Sequence, residues 1–261
     1  MATVVTDLDG TLLVHGKLDE HSIAVFKALQ TKHRLVLATG RDLESVKPFV
    51  QALEMERFQN GAVILLNGGE LIDFQDGEHV KEPAMTKDQA KDVLKRLAHH
   101  AWQLYVVANG AHERTPSPLE PLMRCIPLRK VRNVLRHPRM QTLPETIDKI
   151  AVLGYWGTGR RVAAMERATH TRYIRIGRFW DEIVPEAWDK KNMVARYLKK
   201  HGESAKDLFV FGDGENDVRM LGLTAHSFAP RNALPAAKKA ARHLFEPGDV
   251  AKIVESKILR L

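Results

Sequence analysis

Over its first third the chain alternates between two kinds of hydrophobic spacing. "TVVTDLDGT" opens on a run of β-branched residues and reads as a strand. "DEHSIAVFKALQTK" places its apolar residues at helical intervals, and "HRLVLATGR" returns to a strand. "DLESVKPFVQALEM" is helical again, with Asp42 as a plausible N-cap and Glu44 and Glu54 on the polar side. "AVILLNGGELIDF" predicts a third strand, a turn at Asn67-Gly68-Gly69 and a return strand. Strands that alternate with helices in this order predict a parallel sheet with helices on its faces.

The last third resumes the style. "DKKNMVARYLKKHG" predicts a helix closed by Gly202, and "DLFVFGDGEND" a strand that ends in a second acidic turn. "DVRMLGL", "PAAKKAARHLF" and "GDVAKIVESKILRL" read as further helical pieces. The middle third is different. It runs from the helix "TKDQAKDVLKRLAHH" through the strand "WQLYVVAN" and a Pro-rich connection near Pro116 to Pro121 into mixed strand and helix material. The expected architecture is therefore α/β: a Rossmann-like, doubly wound parallel sheet core over residues 1–83 and 182–261, with an inserted α+β cap domain over residues 84–181. No repeat or low-complexity segment interrupts it.

Charge sharpens the division. The whole chain carries a formal net charge of +8, but residues 84–181 hold 18 Lys/Arg against 8 Asp/Glu, leaving 22 against 24 elsewhere. A basic middle suits a solvated face, an anionic substrate or a polyanion. The basic stretches have few interleaved aromatics and no recognition helix, which argues against nucleic acid as the primary partner. With 44% hydrophobic and 28% charged residues the chain reads as soluble and globular, not disordered. No apolar run approaches the about 18 residues that span a bilayer, so no membrane partner is expected. The start of the chain enters a strand at once, without the pattern of a secretory signal. The single cysteine, Cys125, cannot form an intramolecular disulfide and reads as a small packed hydrophobe; a reducing, cytoplasmic location is expected. The adjacent His99 and His100 diverge on a helix and make a poor metal pair.

Ligands of open parallel sheets collect beyond the C-terminal ends of the strands. Three predicted strands end there in polar residues: "VVT-DLDGT", "LVLA-TGR" and "FVF-GDGEND". One such end is ordinary turn chemistry; three at a common edge are not. The carboxylates of Asp7, Asp9 and Asp213 would repel one another unless a cation sat among them. Oxygen ligands without nearby Cys or His favour Mg²⁺, which usually works with phosphate. Thr39 offers a hydroxyl and Gly40 a closely approachable backbone N–H for that phosphate, and a carboxylate can serve as a nucleophile at phosphorus. Both acidic turns resemble the opening of a calcium loop, but neither has glycine at the sixth position (Leu12 and Val218), and both follow strands. Positive charge is needed on the transferring phosphoryl group, and Lys190 or Lys191, both opening a helix, could supply it. Arg41 suits either an ion pair or a substrate contact, Asn67 either a phosphate contact or its turn, and Trp188 packing.

Taken together, "DLDGTLL", "LATGR", a lysine opening a late helix and "FGDGENDVRML" resemble the four motifs of the haloacid dehalogenase-like phosphatases. "LLNGGELI" and "EIVPEAWDKKNMV" fit the branch with a large cap between the second and third motifs, the Cof-type (subfamily IIB) sugar phosphatases. The resemblance implies Asp7 as nucleophile and Mg²⁺ ligand, and Asp9 as general acid and base with its backbone carbonyl on the metal. It further implies Thr39, Gly40 and Asn216 on the phosphoryl group, Asp213 on the metal, and Asp217 orienting metal, water or lysine. The spacing from "EIVP" favours Lys190 as the catalytic lysine. The family usually has glycine at position 191, and glycine-valine where Ala187-Trp188 stand. The expectation is a Mg²⁺-dependent phosphatase of a small phosphorylated metabolite, a sugar phosphate first. The alternatives are a phosphohexomutase of the same fold and a polyanion-binding module. Oligomeric state is not legible in the sequence.

Overall fold

The computed structural model describes residues 1–97, 101, 103–108, 111–114, 134–136, 143–154, 158–176 and 180–260. His99, His100, the Pro116–Pro121 connection, Cys125 and most of the basic stretch around them lie outside the described residues. The chain divides into two compact units, Met1–Glu82 with Asp189–Leu261, and Pro83–Trp188.

The first unit begins with β1 (Thr3–Thr6), α1 (Glu20–Gln30), β2 (Arg34–Ala38), α2 (Leu43–Ala52), α3 (Met55–Phe58) and β3 (Gly61–Leu65). Every residue of β1, β2 and β3 is buried, as expected of strands covered on both faces. Local chemistry starts the helices where the sequence predicts. Asp19 caps α1 by accepting from the Ser22 amide, and Asp42 caps α2 by accepting from the Ser45 amide, each at 2.8 Å. After β3 the backbone turns through left-handed residues Leu66, Asn67 and Gly68 into the antiparallel strand β4 (Glu70–Asp73), and β5 (His79–Lys81) follows.

The second unit holds β6 (Met85–Thr86), α4 (Lys87–Leu97), β7 (Gln103–Ala108), β8 (Ala111–Arg114), β9 (Val134–Arg136), β10 (Thr146–Ile147), β11 (Lys149–Leu153), α5 (Thr158–Thr169), β12 (Thr171–Arg175) and β13 (Trp180–Pro185). Its main sheet has the order β12-β13-β11-β7-β8-β9. A cluster including Val93, Leu97, Val106, Ile150, Val152 and Ile183 forms its core. The charge shift suggests a boundary after residue 181, but β13 pairs with β11 and β12 through Pro185, and the second unit extends to Trp188. Backbone pairing, not composition, decides where this segment belongs.

The chain then returns through α6 (Lys190–Lys200), β14 (Leu208–Phe211), α7 (Val218–Leu221), β15 (His226–Pro230), α8 (Pro235–Ala240), β16 (His243–Phe245) and α9 (Val250–Lys257). The expectation of a helix through "PAAKKAARHLF" is half right. α8 stops at Ala240, and "HLF" becomes an edge strand, pairing with β15 from Phe228↔His243 to Pro230↔Phe245. The eight-stranded sheet has the order β16-β15-β14-β1-β2-β3-β4-β5, parallel from β16 through β3. α6 and α7 bury Met193, Val194, Met220 and Leu221 with Val5, Val36 and Val210 of the sheet. The central strand β1 lies between β14 and β2, with Thr6 paired to Phe211 on one side and Leu37 on the other. That register brings the residues just beyond Thr6, Leu37 and Phe211 to one edge.

Candidate active site

Asp7 follows β1 at the C-terminal edge of the sheet, and its backbone amide donates to the Phe211 carbonyl of β14. Asp213 lies just past β14 and accepts from the Thr11 hydroxyl at 2.7 Å. Gly10 makes this approach feasible: its φ is +81°, and a Cβ there would stand 2.8 Å from the Asp213 carboxyl carbon. The 3₁₀ turn Glu215–Asp217 then brings Asp217 back under the loop. One Asp217 oxygen accepts from the amides of Asp213 and Gly214 at 2.9 and 2.8 Å. The other accepts from Lys190.

Lys190 is the first residue of α6 and is fully buried. Asp189 caps that helix by accepting from the Lys191 amide at 2.8 Å, and Arg219 of α7 donates to the same carboxylate. Against Asp189 packs Gly68, with φ +98°, where any Cβ would stand 2.5 Å from the Asp189 carbonyl oxygen. Held in this way, the Lys190 ammonium donates to Asp7 Oδ1 and Asp217 Oδ1, both at 2.7 Å. Of the two candidate lysines it is Lys190, not Lys191, that the fold joins to Asp7.

Asp7, Asp213 and Asp217 each place an oxygen within 4.8 Å of the others'. Asp7 and Asp217 share one ammonium, and the Asp213 carboxylate lies close by without contacting it. Burial raises the Asp7 pKa well above the ordinary carboxylate value; Lys190 opposes this, while Asp217 and Asp213 add to it. Asp213, which Lys190 does not contact, is pushed up to about 6 by burial first and the Asp217 charge second. Burial works against the charged form of Lys190, but Asp217 and Asp7 outweigh it and hold the ammonium more firmly than in water.

A second acidic group shows the contrast. Asp73, Asp76 and Glu78 also converge, but Lys200 reaches all three, at 2.7, 2.6 and 2.7 Å, and fills the place of a cation. At the β1–β14 edge the positive charge is short. An all-oxygen donor set with excess negative charge fits a hard divalent cation, which Asp7 and Asp213 would hold. Asp217, with both oxygens already accepting, orients the lysine and the loop.

Of the three carboxylates expected to converge, one lies apart. Asp9 does not bring its carboxylate to Asp7 and Asp213; Asp217 takes that position. The Asp9 carboxylate accepts instead from Arg41, whose Nε and Nη2 lie 2.6 and 2.5 Å from its two oxygens. Asp9 lies three residues past the end of β1, and the guanidinium across the loop holds its carboxylate. Thr39 is buried just past β2, where its amide donates to Ile64 and its hydroxyl accepts from the Arg41 amide. Asn67 sits in the left-handed turn at φ +60° and its amide donates to the Thr39 carbonyl. Asn216 donates its side-chain amide to Asn67 Oδ1 at 2.8 Å, and Asn67 borders Gly40. Trp188 is buried in the second unit, with its Nε1 donating to the Pro83 carbonyl, which is a packing role. Arg219, which braces Asp189, is not foreseen from sequence, and Thr11, which follows Asp9 as a candidate phosphate contact, turns its hydroxyl to Asp213. Arg219 has no local sequence signal.

The fold and this edge define a class: a doubly wound α/β enzyme whose site is an acidic cluster around a buried lysine. The sequence profile of the haloacid dehalogenase-like hydrolases matches residues 4–251, and the chain belongs to that family. It is 25% identical over 266 residues to the pyridoxal phosphate phosphatase YbhA of Escherichia coli, covering 91% of this chain and 90% of that one. It is 24% identical over 251 residues to the HMP-PP phosphatase of Klebsiella pneumoniae, covering 93% and 89%. Among solved structures, a haloacid dehalogenase-like hydrolase from B. subtilis superposes with TM-score 0.81 at 18% identity, over 99% of this chain and all of the other. A subclass IIB sugar phosphatase superposes with TM-score 0.80 at 16% identity, over 99% and 100%. At those identities the structural likeness is one of fold. Family membership and phosphatase relatives make the chain a phosphoric monoester hydrolase.

Proposed function

We propose that the protein is a Mg²⁺-dependent phosphatase of a small phosphorylated metabolite, working through an aspartyl-phosphate on Asp7. The observation that carries this reading is the buried Lys190 ammonium bonded to both Asp7 and Asp217 beside Asp213. Asp7 Oδ1 is engaged by Lys190, which leaves Oδ2 to attack phosphorus. Lys190 offsets the negative charge gathered on Asp7 and the phosphoryl oxygens. Thr39 and Gly40 hold the transferring group, and Asn216 with Asn67 closes the same side. Asp7 and Asp213, with the Asp9 backbone carbonyl, would hold Mg²⁺, which would supply charge neutralisation for the phosphate. Asp9 moves the protons, one to the leaving oxygen and later one from water.

The substrate of this reading is a small phosphate ester, and a sugar phosphate is the first class to test. The E. coli relative adds pyridoxal phosphate, and the Klebsiella relative adds HMP-PP, as further candidates. The inserted unit Pro83–Trp188, with its basic excess, is the part that selects among them. No helix among the described residues is long and apolar enough to cross a membrane, and a cytoplasmic enzyme is in keeping with this reading. The test is a phosphate-release screen over such metabolites, with Mg²⁺ or with EDTA. Release that requires Mg²⁺ and vanishes in Asp7→Asn is expected; no release from any ester, or equal release by Asp7→Asn, refutes the proposal. Scoring isomerised ester against free phosphate separates a phosphatase from a mutase.

A further inference from the structure

We propose that Arg219 is a positioning residue for Lys190. By holding the Asp189 carboxylate it keeps the start of α6 in register with the turn that carries Asp217, and the Lys190 ammonium lands between Asp217 and Asp7. The inference rests on the aspartyl-phosphate reading above and adds to it a residue that acts through another.

Asp189 uses its two oxygens differently. Oδ1 accepts from the Lys191 amide at 2.8 Å and caps α6, while Oδ2 accepts from Arg219 Nη1. The Asp189 side chain is 1% exposed and that of Arg219 55% exposed, so the arginine reaches in from the surface to a buried carboxylate. A cap that is itself anchored fixes the first turn of its helix, and Lys190 is the first residue of that turn.

Two segments meet here through two ion pairs of opposite polarity. On one, Asp189 precedes Lys190; on the other, Asp217 comes two residues before Arg219. Lys190 donates to Asp217 Oδ1 at 2.7 Å, and Arg219 donates to Asp189. A slip of α6 by one residue would bring Asp189 toward Asp217, or Lys190 toward Arg219, and like charges would meet. The apolar contacts supply no such register. Met193 and Val194 of α6 lie in one cluster with Met220 and Leu221 of α7, and burial of that kind is non-directional. Lys190 needs the register because its ammonium serves two acceptors, Asp7 Oδ1 and Asp217 Oδ1, each at 2.7 Å. A displacement of about 1 Å from such geometry costs about a hundredfold in rate.

The experiment measures hydrolysis of p-nitrophenyl phosphate at saturating Mg²⁺ and, separately, the reactivity of Lys190. Wild type is compared with Arg219→Met, Arg219→Lys, Asp189→Asn and the double variant Asp189→Asn/Arg219→Met, each retaining a cooperative melting transition. Asparagine at 189 keeps a capping oxygen. Arg219→Met is expected to lower kcat about ten- to a hundredfold with KM within about twofold of wild type, since Lys190 acts on charge that gathers in the transition state. Arg219→Lys should recover about half of that loss on a logarithmic scale, because one charged donor meets one oxygen and no fork is lost. In the Asp189→Asn background, adding Arg219→Met should change kcat by less than about twofold. Acetylation of the metal-free protein with acetic anhydride, read by mass spectrometry after digestion, reports on the ammonium itself. Lys190 should label several-fold faster in Arg219→Met than in wild type, relative to the buried Lys149, which is bonded to Glu182 in the inserted unit. A loss confined to KM, a kcat that stays at the wild-type value, no recovery in Arg219→Lys, a full further loss in the Asp189→Asn background, or unchanged labelling of Lys190 overturns the assignment. A wild type that releases neither nitrophenolate nor phosphate from any ester overturns the phosphatase reading instead, and the labelling then still shows whether Arg219 holds Lys190.

Discussion

At Asp213 the proposed cation site should cost the metal-free fold stability. Its carboxyl is raised from 3.8 to about 6 because it is buried beside Asp217 and without a lysine. A folded state that holds an acid's proton more tightly than the unfolded chain has its full stability below pH 3.8. It loses that stability as pH rises through about 6 and stays level above. Integrated over that window, forced ionisation costs about 3 kcal/mol at pH 8 and about 1 kcal/mol at pH 4.5. Asp213→Asn removes the cost and keeps an oxygen for the Thr11 hydroxyl, which donates to Asp213 Oδ1. In EDTA at pH 8 the variant should therefore be about 3 kcal/mol more stable than wild type, a rise of roughly 6–10 °C in melting temperature at this chain size. At pH 4.5 the gap should shrink to about a third of that. Scanning calorimetry at the two pH values measures both. Adding Mg²⁺ should raise the wild-type transition and leave the variant unmoved, because binding to the folded state alone is what stabilises. A variant no more stable than wild type at pH 8 in EDTA, or a gap that widens toward acid, refutes the reasoning.

Lys190→Met leaves three close carboxylates without their ammonium and should cost about 3–5 kcal/mol in denaturation while abolishing phosphate release; Lys191→Met should stay within about 0.5 kcal/mol and keep its turnover. Gly68→Ala forces a Cβ into a φ of +98° against the Asp189 carbonyl, so the start of α6 must shift. A displacement of about 1 Å at Lys190 should lower kcat about a hundredfold, with a stability loss of about 1–3 kcal/mol in thermal melts. Asp73→Ala is the control from the other acidic group. It removes the carboxylate that His201 pairs with and one of the three that Lys200 reaches, and should destabilise by about 1–3 kcal/mol with kcat unchanged.

Much of the site can be read from sequence because its parts are local. "DLDGT", "LATGR" and "FGDGEND" are strand ends, and the order of strands in a parallel sheet brings strand ends together. Lys190 is legible for a related reason, since a capping Asp189 opens its helix. What is not legible depends on contacts across the fold. Asp9 turns to Arg41 rather than to Asp7 because of a guanidinium 32 residues away, and nothing in "DLDGT" encodes that choice. Arg219 finds Asp189 only once α7 packs beside α6. The "HLF" strand is hidden behind an alanine- and lysine-rich run with helical propensity, which pairing with β15 overrides. The end of the inserted unit is masked in the same way, because charge composition changes before the backbone pairing of β13 does.

The central claim is that Asp7 takes the phosphoryl group from the substrate. It is tested most directly by mass spectrometry of protein quenched in acid during turnover of an ester it hydrolyses, followed by digestion. A mass increase of one phosphoryl group on the peptide that carries Asp7, lost in Asp7→Asn, is the predicted result. Phosphorylation of a different residue, or steady turnover with that peptide never modified, contradicts it.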